Sequence, residues 1–166
     1  MVEKLAQSQG IALSQNEQFF GKIGKGEVYS KELRLLIPST FMNLCGKSIA
    51  SYSSYFDTEP ASILVVHDEL DVSPGQARLK FDGGHGGHNG LRDIIPALGG
   101  SRNFWRLRLG IGHPGRARDV SKWVLTRPSK KDQKDQALAI DASFEALRLL
   151  MAGDPSQAMN LLHSFR

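Results

Sequence analysis

Apolar positions along this chain change their period several times, and each change marks an element. Residues 2–13 read as a helix with Val2, Leu5, Ala6 and Leu13 roughly on one side. Phe19 to Ile23 and Val28 to Tyr29 read as strand pieces around the turn Gly24-Lys25-Gly26, an antiparallel hairpin at a sheet edge. Leu33 to Ile37 is another apolar run, closed by Pro38. A helix follows to Tyr55, with Ser39 or Thr40 as its cap. Ile63 to Val66 is a continuous apolar run, β-branched at three of four positions, which predicts a strand buried on both faces inside a mixed or parallel sheet.

Beyond it the pattern predicts a strand over 76–81 and a helix over 89–98, with Asn89 as N-cap and Gly99-Gly100 as its stop. A strand over 105–111, a basic loop over 116–131, a helix over 137–151 and a short helix after Pro155 complete the chain. Strands alternating with helices predict an α/β fold: one domain over residues 1–166, with a mixed, twisted β-sheet flanked by helices. The opening helix starts without a capping residue, and an alternating chain would place a strand ahead of it.

Composition narrows the class. A length of 166 residues suits one domain, and 40% apolar with 23% charged residues is ordinary for a globular protein. The single cysteine, Cys45, rules out an intrachain disulfide framework and points to the cytoplasm. No apolar stretch approaches the ~20 residues of a membrane span, and no signal peptide is evident.

The net charge of +4 is unevenly spread. Residues 76–131 hold twelve Lys or Arg against three Asp, net +9, whereas residues 1–75 carry −3 and residues 132–166 carry −2. A basic middle between acidic ends suggests a polyanion met by one face. Arg78 and Lys80, like Arg106 and Arg108, alternate with apolar residues. On a strand that places cations on one face and the core on the other.

Chemistry concentrates between Ile63 and Asn89. The apolar run ends in Asp68, Glu69 and Asp71, at the C-terminal end of what reads as a central strand, where open α/β sheets bind ligands. The glycine-rich stretch Gly83-Gly-His-Gly-Gly-His-Asn-Gly90 then enters a helix, an arrangement suited to an anion. Phe41 and Asn43 sit near another strand-to-helix junction; each reads equally as a local packing or turn residue and as a ligand contact.

A metal site is disfavoured. Leu70 interrupts the acids, strand alternation sends neighbours to opposite faces, and His85 and His88 lie in a loop. Gly46-Lys47-Ser48 lacks the earlier glycine of a phosphate loop, since Phe41 stands there. Cys45 reads as a small packed residue, and no Gly-x-Ser-x-Gly elbow occurs. Acid/base hydrolysis with water as nucleophile remains, using a histidine base and a carboxylate that orients it. Asp68 suits the carboxylate role. His67, His85, His88 and His113 are the candidate bases.

Four motifs then coincide, in order: Pro38-Ser-Thr-Phe-Met-Asn43, His67-Asp-Glu-Leu-Asp71, Gly83-Gly-His-Gly-Gly-His-Asn-Gly-Leu91 and Arg108-Leu-Gly-Ile-Gly-His-Pro-Gly115. Together they resemble the bacterial-type peptidyl-tRNA hydrolases. The resemblance implies a monomeric, metal-free and cofactor-free enzyme of translation that cleaves the ester between a peptide and the terminal ribose of tRNA. On motif position Asp68 resembles the residue that stabilises the catalytic histidine. Phe41, Asn43 and Asn89 resemble those that hold the substrate, and His88 the loop histidine that supports them. Arg78, Lys80 and Arg108 resemble the groups that grip tRNA phosphates.

The family opens with a strand carrying Gly-Asn-Pro-Gly and then Thr-Arg-His-Asn, whose histidine is the general base. Neither motif occurs in this sequence, and none of its five histidines stands in that base's motif. The expectation is therefore a domain incomplete at its N-terminus, lacking the first strand, with impaired turnover. The alternatives are a non-catalytic tRNA-binding protein on the same scaffold and a metal-dependent nuclease or phosphotransferase.

Overall fold

The structure, a computed structural model, describes residues 1–116 and 119–164. In chain order its elements are α1 (Val2–Ser8), β1 (Ser14–Asn16), β2 (Gly21–Val28), β3 (Lys31–Pro38), a 3-10 turn (Met42–Leu44), α2 (Gly46–Tyr55), a second 3-10 turn (Pro60–Ser62), β4 (Leu64–Glu69), β5 (Ala77–Phe81), α3 (Asn89–Ala97), β6 (Trp105–Gly110), α4 (Val120–Trp123), α5 (Lys130–Met151) and α6 (Pro155–Ser164). The α/β class is as the sequence predicts. In place of one sheet there are two of three strands each, ordered β1-β2-β3 and β4-β6-β5. The contacts divide the chain into two compact units, residues 1–64 with 81–105 and residues 65–80 with 106–166.

The first unit is built on the antiparallel ladder of β1, β2 and β3, paired from Gly21↔Pro38 to Val28↔Lys31. The hairpin turns at Tyr29-Ser30, whose φ values of 52° and 61° are both left-handed. Two such residues match the twist of the flanking strands. The predicted turn at Gly24-Lys25-Gly26 is instead strand interior. A Cβ on Gly26 would lie 2.6 Å from the Ile11 side chain, so glycine here makes room for the segment after α1. That segment also ends the first helix at Ser8, short of the predicted residue 13, with Gly10 left-handed at φ 65°.

Beneath this hairpin Phe19 stacks edge-on against Tyr52 (4.9 Å between centroids) and Tyr55 (5.3 Å) of α2. Ser48, fully buried, donates its hydroxyl to the Phe19 carbonyl at 2.6 Å. Leu91 and Ile94 of α3 and Phe104 extend the core of this unit.

The second sheet is mixed. Trp105 N–H donates to Ile63 O and Ile111 N–H to Glu69 O, an even offset that makes β4 and β6 parallel. Asp82 N–H donates to Phe104 O and Gly110 N–H to Gln76 O, which makes β5 and β6 antiparallel. Among the described residues β6 is central and β4 an edge. The predicted burial of β4 on both faces is not met: only His67 is buried, and its other residues are half-exposed. An apolar run four residues long cannot report its place in a sheet.

In the second unit α5 begins at Lys130, seven residues before the predicted start. Ser129 caps it, its hydroxyl accepting from Asp132 N–H at 3.1 Å. α6 packs on α5, and β5 holds it. The Arg78 guanidinium donates to Leu162 O at 3.1 Å, and a ring nitrogen of His163 lies 3.2 Å from Leu79 O. The predicted basic loop contains a short helix, α4, whose Trp123 indole donates to Gly112 O at 2.9 Å. Two members of that loop, Ala117 and Arg118, lie outside the described residues.

Candidate functional site

In the first unit, two segments far apart in sequence meet. One is the 3-10 turn and the start of α2; the other is the first turns of α3. Between them lies a cleft of about 400 Å³ lined by Met42, Asn43, Asn89, Arg92 and Asp93. Asn43 and Asn89, singled out from separate motifs, thus line one cavity from its two sides.

Local chemistry explains their availability. The predicted caps of α2, Ser39 and Thr40, do not cap it; the helix starts only at Gly46. Its first N–H donates to the Asp93 carboxylate, at 2.6 Å, across from α3. The predicted cap of α3 is displaced too. His88 is the N-cap, its Nδ1 accepting from Gly90 N–H (3.1 Å) and Leu91 N–H (3.2 Å). Asn89 is therefore the first residue inside the helix, and the capping bonds do not use its amide.

Accepting at Nδ1 places the His88 ring proton on Nε2. His85 and His113 repeat the device on Gly87 N–H and Gly115 N–H, each at 3.0 Å. His67 does the reverse, with Nδ1 2.7 Å from the Asp68 carbonyl, which requires a proton on that nitrogen.

These bonds take up part of the expected anion cradle. In the glycine-rich loop, Gly83 N–H is taken by the Asp82 carboxylate and Gly87 N–H by His85, while His88 takes Gly90 and Leu91. Donors already satisfied by their own loop have little to offer a phosphate. What the cleft offers is different: two neutral amides, each both donor and acceptor, and one guanidinium. Such groups suit a peptide bond, an ester or a ribose hydroxyl next to a phosphate.

Phe41 is 80% exposed, which removes the buried-staple reading and leaves an apolar ring beside the cleft-lining Met42. Close approach of the two segments depends on small residues. A Cβ on Gly46 would lie 2.4 Å from the Asp93 carbonyl, and one on Gly90 2.7 Å from the Met42 sulfur. Cys45 points its thiol at Gly90 O across the same gap, 3.7 Å away. Burial, then the Asp93 charge, pushes that thiol up from its ordinary pKa.

The second unit holds the remaining predicted residues. Asp68 lies on β4, half-exposed. Glu69 beside it accepts from Arg108 Nε at 2.8 Å. Burial alone would raise the Glu69 carboxyl. The Arg108 bond, the Asp71 N–H and the Arg108 and His67 charges outweigh it and hold the group below its ordinary range.

The expected basic face is largely spent on the fold. Arg106 is 2% exposed, Arg108 pairs with Glu69, and Arg78 bonds Ala77 O, Leu162 O and Gln76. Strand alternation did place Leu79 inside and Lys80 outside, but an arginine's length lets it fold back onto backbone acceptors. Of the four alternating cations, Lys80 is the one that is exposed.

Sequence reasoning missed Arg92 and Asp93. The signal was present: they follow Asn89 by three and four residues, the spacing of one helix face.

Comparison with known proteins places this geometry. The model of the family Peptidyl-tRNA hydrolase matches residues 1–166. A peptidyl-tRNA hydrolase of Shewanella amazonensis is 48% identical over 165 residues, covering 99% of this chain and 85% of its own length. One of Pseudomonas paraeruginosa is 50% identical over 163 residues, covering 98% and 84%. The crystal structure of peptidyl-tRNA hydrolase from Acinetobacter baumannii superimposes with a TM-score of 0.95 at 44% identity, over 99% of this chain and 83% of that one. A family match over residues 1–166 lends no support to the expected truncation, nor to the impaired turnover inferred from it. On these matches the chain belongs to the peptidyl-tRNA hydrolase family.

Proposed function

We propose that this protein hydrolyses peptidyl-tRNA, cleaving the ester between the peptide and the 3′ ribose and so returning tRNA to translation. One observation carries the reading at the level of the site: Asn43 and Asn89 face one cleft in a chain of this family. Their amides bind the peptide backbone and the terminal ribose, fixing the ester for attack by water. Holding a reactant in one geometry supplies much of the rate that such a site gains. The exposed ring of Phe41 packs on the substrate's 3′ end, and His88, by capping α3, keeps Asn89 at the rim.

To Asp68 we assign only the carboxylate role of the family motif, a group suited to orient an imidazole and to stabilise its protonated form. None of the five histidines stands in the family's base motif, and none is given that role. Lys80, Arg78 and Arg108 contribute positive potential toward tRNA phosphates, with Lys80 the direct contact. The enzyme acts as a monomer in the cytoplasm, without metal or cofactor. No helix among the described residues is long and apolar enough to cross a membrane.

The test is hydrolysis of an N-acetylated aminoacyl-tRNA by the purified chain, with and without chelator. Turnover indifferent to chelator is the expected result. Turnover abolished by chelator, or tight tRNA binding without turnover, would replace this reading with one of its rivals.

A further inference from the structure

Asp93 lines the cleft, yet its carboxylate is turned to a main-chain N–H of the opposite wall. The Gly46 N–H it accepts, at 2.6 Å, belongs to the first residue of α2. That helix has no side-chain cap of its own, and its preceding residue, Cys45, already has helical backbone angles. A carboxylate at a helix N-terminus satisfies an orphan donor and complements the helix dipole. Here the cap comes from another helix, so the bond also ties two segments together.

Those segments are the two that carry the cleft's amides. Asn43 precedes Gly46 by three residues, and Asn89 precedes Asp93 by four. Around the bond the walls touch with nothing between them: Gly46 against the Asp93 carbonyl, the Met42 sulfur against Gly90, the Cys45 thiol toward Gly90 O. Packing sets how close the walls come. A hydrogen bond with fixed direction sets how they are aligned.

We propose that Asp93 is a positioning residue for the hydrolysis: through Gly46 it holds Asn43 in register with Asn89, so that both amides engage one substrate. This rests on the function proposed above. Alignment of the two segments needs the directional acceptor oxygen, and the carboxylate's charge adds only a smaller complement to the helix dipole. An asparagine, which keeps one carbonyl oxygen at the same place, therefore substitutes for it, and an alanine does not.

The experiment measures kcat and KM separately on N-acetylated aminoacyl-tRNA for the parent, D93A and D93N, together with amide hydrogen exchange at Gly46. The expected D93A result is a KM raised about tenfold or more, with kcat within about threefold, as befits two amides that no longer bind one substrate together and so lose ground-state and transition-state binding alike. D93N should stay within about threefold of the parent on both. Gly46 exchange should accelerate in D93A and remain slow in D93N. Parent-like kinetics in D93A, or D93N as impaired as D93A, would overturn the proposal. If D93A does not fold, D93N decides alone: parent-like constants support the acceptor role, and a tenfold rise in KM refutes it. If the parent itself shows no turnover, the functional reading fails instead. Gly46 exchange then tests the tie by itself, and unchanged exchange in D93A would refute it.

Discussion

Arg108 Nε donates to Glu69 Oε2 at 2.8 Å, and the two side chains are only 26% and 17% exposed. A pair this sheltered escapes most of the screening that makes surface ion pairs negligible. Replacing Glu69 by Ala leaves a sheltered guanidinium without its acceptor, which should destabilise the protein by about 1–3 kcal/mol. The check is the urea midpoint of E69A against the parent.

The same pair predicts a pH dependence. The folded Glu69 pKa lies below its unfolded value, so folding is favoured by the ionised form. Its contribution is complete above the unfolded carboxyl value and disappears as pH falls through the folded one. Urea midpoints of the parent and E69Q should therefore converge toward acid pH. A gap between them that stays constant down to pH 3 would contradict this.

His88 offers a second comparison. H88A removes the acceptor of two N–H groups at the start of α3 and should cost about 0.5–2 kcal/mol. H88N retains a capping oxygen and should recover most of that stability. Equal losses in both variants would show that the ring's packing matters more than its Nδ1.

Much of this site was legible in sequence, and the reasons differ by residue. By residue type and position alone Asn43 reads equally as a turn residue and Asn89 as a helix cap; the resemblance of their motifs is what marks both as substrate contacts. Asp93 was not visible in its role, because a cap donated by another helix leaves no local pattern. The histidine cap of α3 was missed for a related reason: Asn89 is the better capping residue by type, and backbone geometry alone moved the cap one residue back. The basic face was overread, since alternation reports which way a side chain leaves the strand and not where a long one ends. The hairpin turn fell at Tyr29-Ser30, where no glycine marked it, because the nearby glycines serve close packing instead.

The glycines at the cleft should respond unequally. The Cβ of G46A meets a backbone carbonyl at 2.4 Å, so α2 must move and a loss of about 1–3 kcal/mol is expected. The Cβ of G90A meets the Met42 sulfur at 2.7 Å, in a side chain that can swing aside, and the His88 ring at 3.0 Å, a milder crowding than a backbone clash. Thermal unfolding should rank G46A well below G90A; the opposite order would contradict the packing described.

Lys80 and Arg78 separate binding from folding. K80A should weaken tRNA binding evenly across tRNAs and lower the salt slope of log K by about one. R78A should chiefly lower stability, because its guanidinium secures the end of α6 at Leu162. Identical salt slopes in K80A and the parent would remove Lys80 from the contact surface.

The most direct measurement of all is the rate at which purified parent, N43A and N89A release tRNA from an N-acetylated aminoacyl-tRNA. A shared, substrate-holding cleft predicts turnover by the parent and a fall in kcat/KM of about 10²-fold in each single variant. The double variant should lose little more than either one, since the two amides act on one ester as a unit. Parent turnover left unchanged by both substitutions would contradict it.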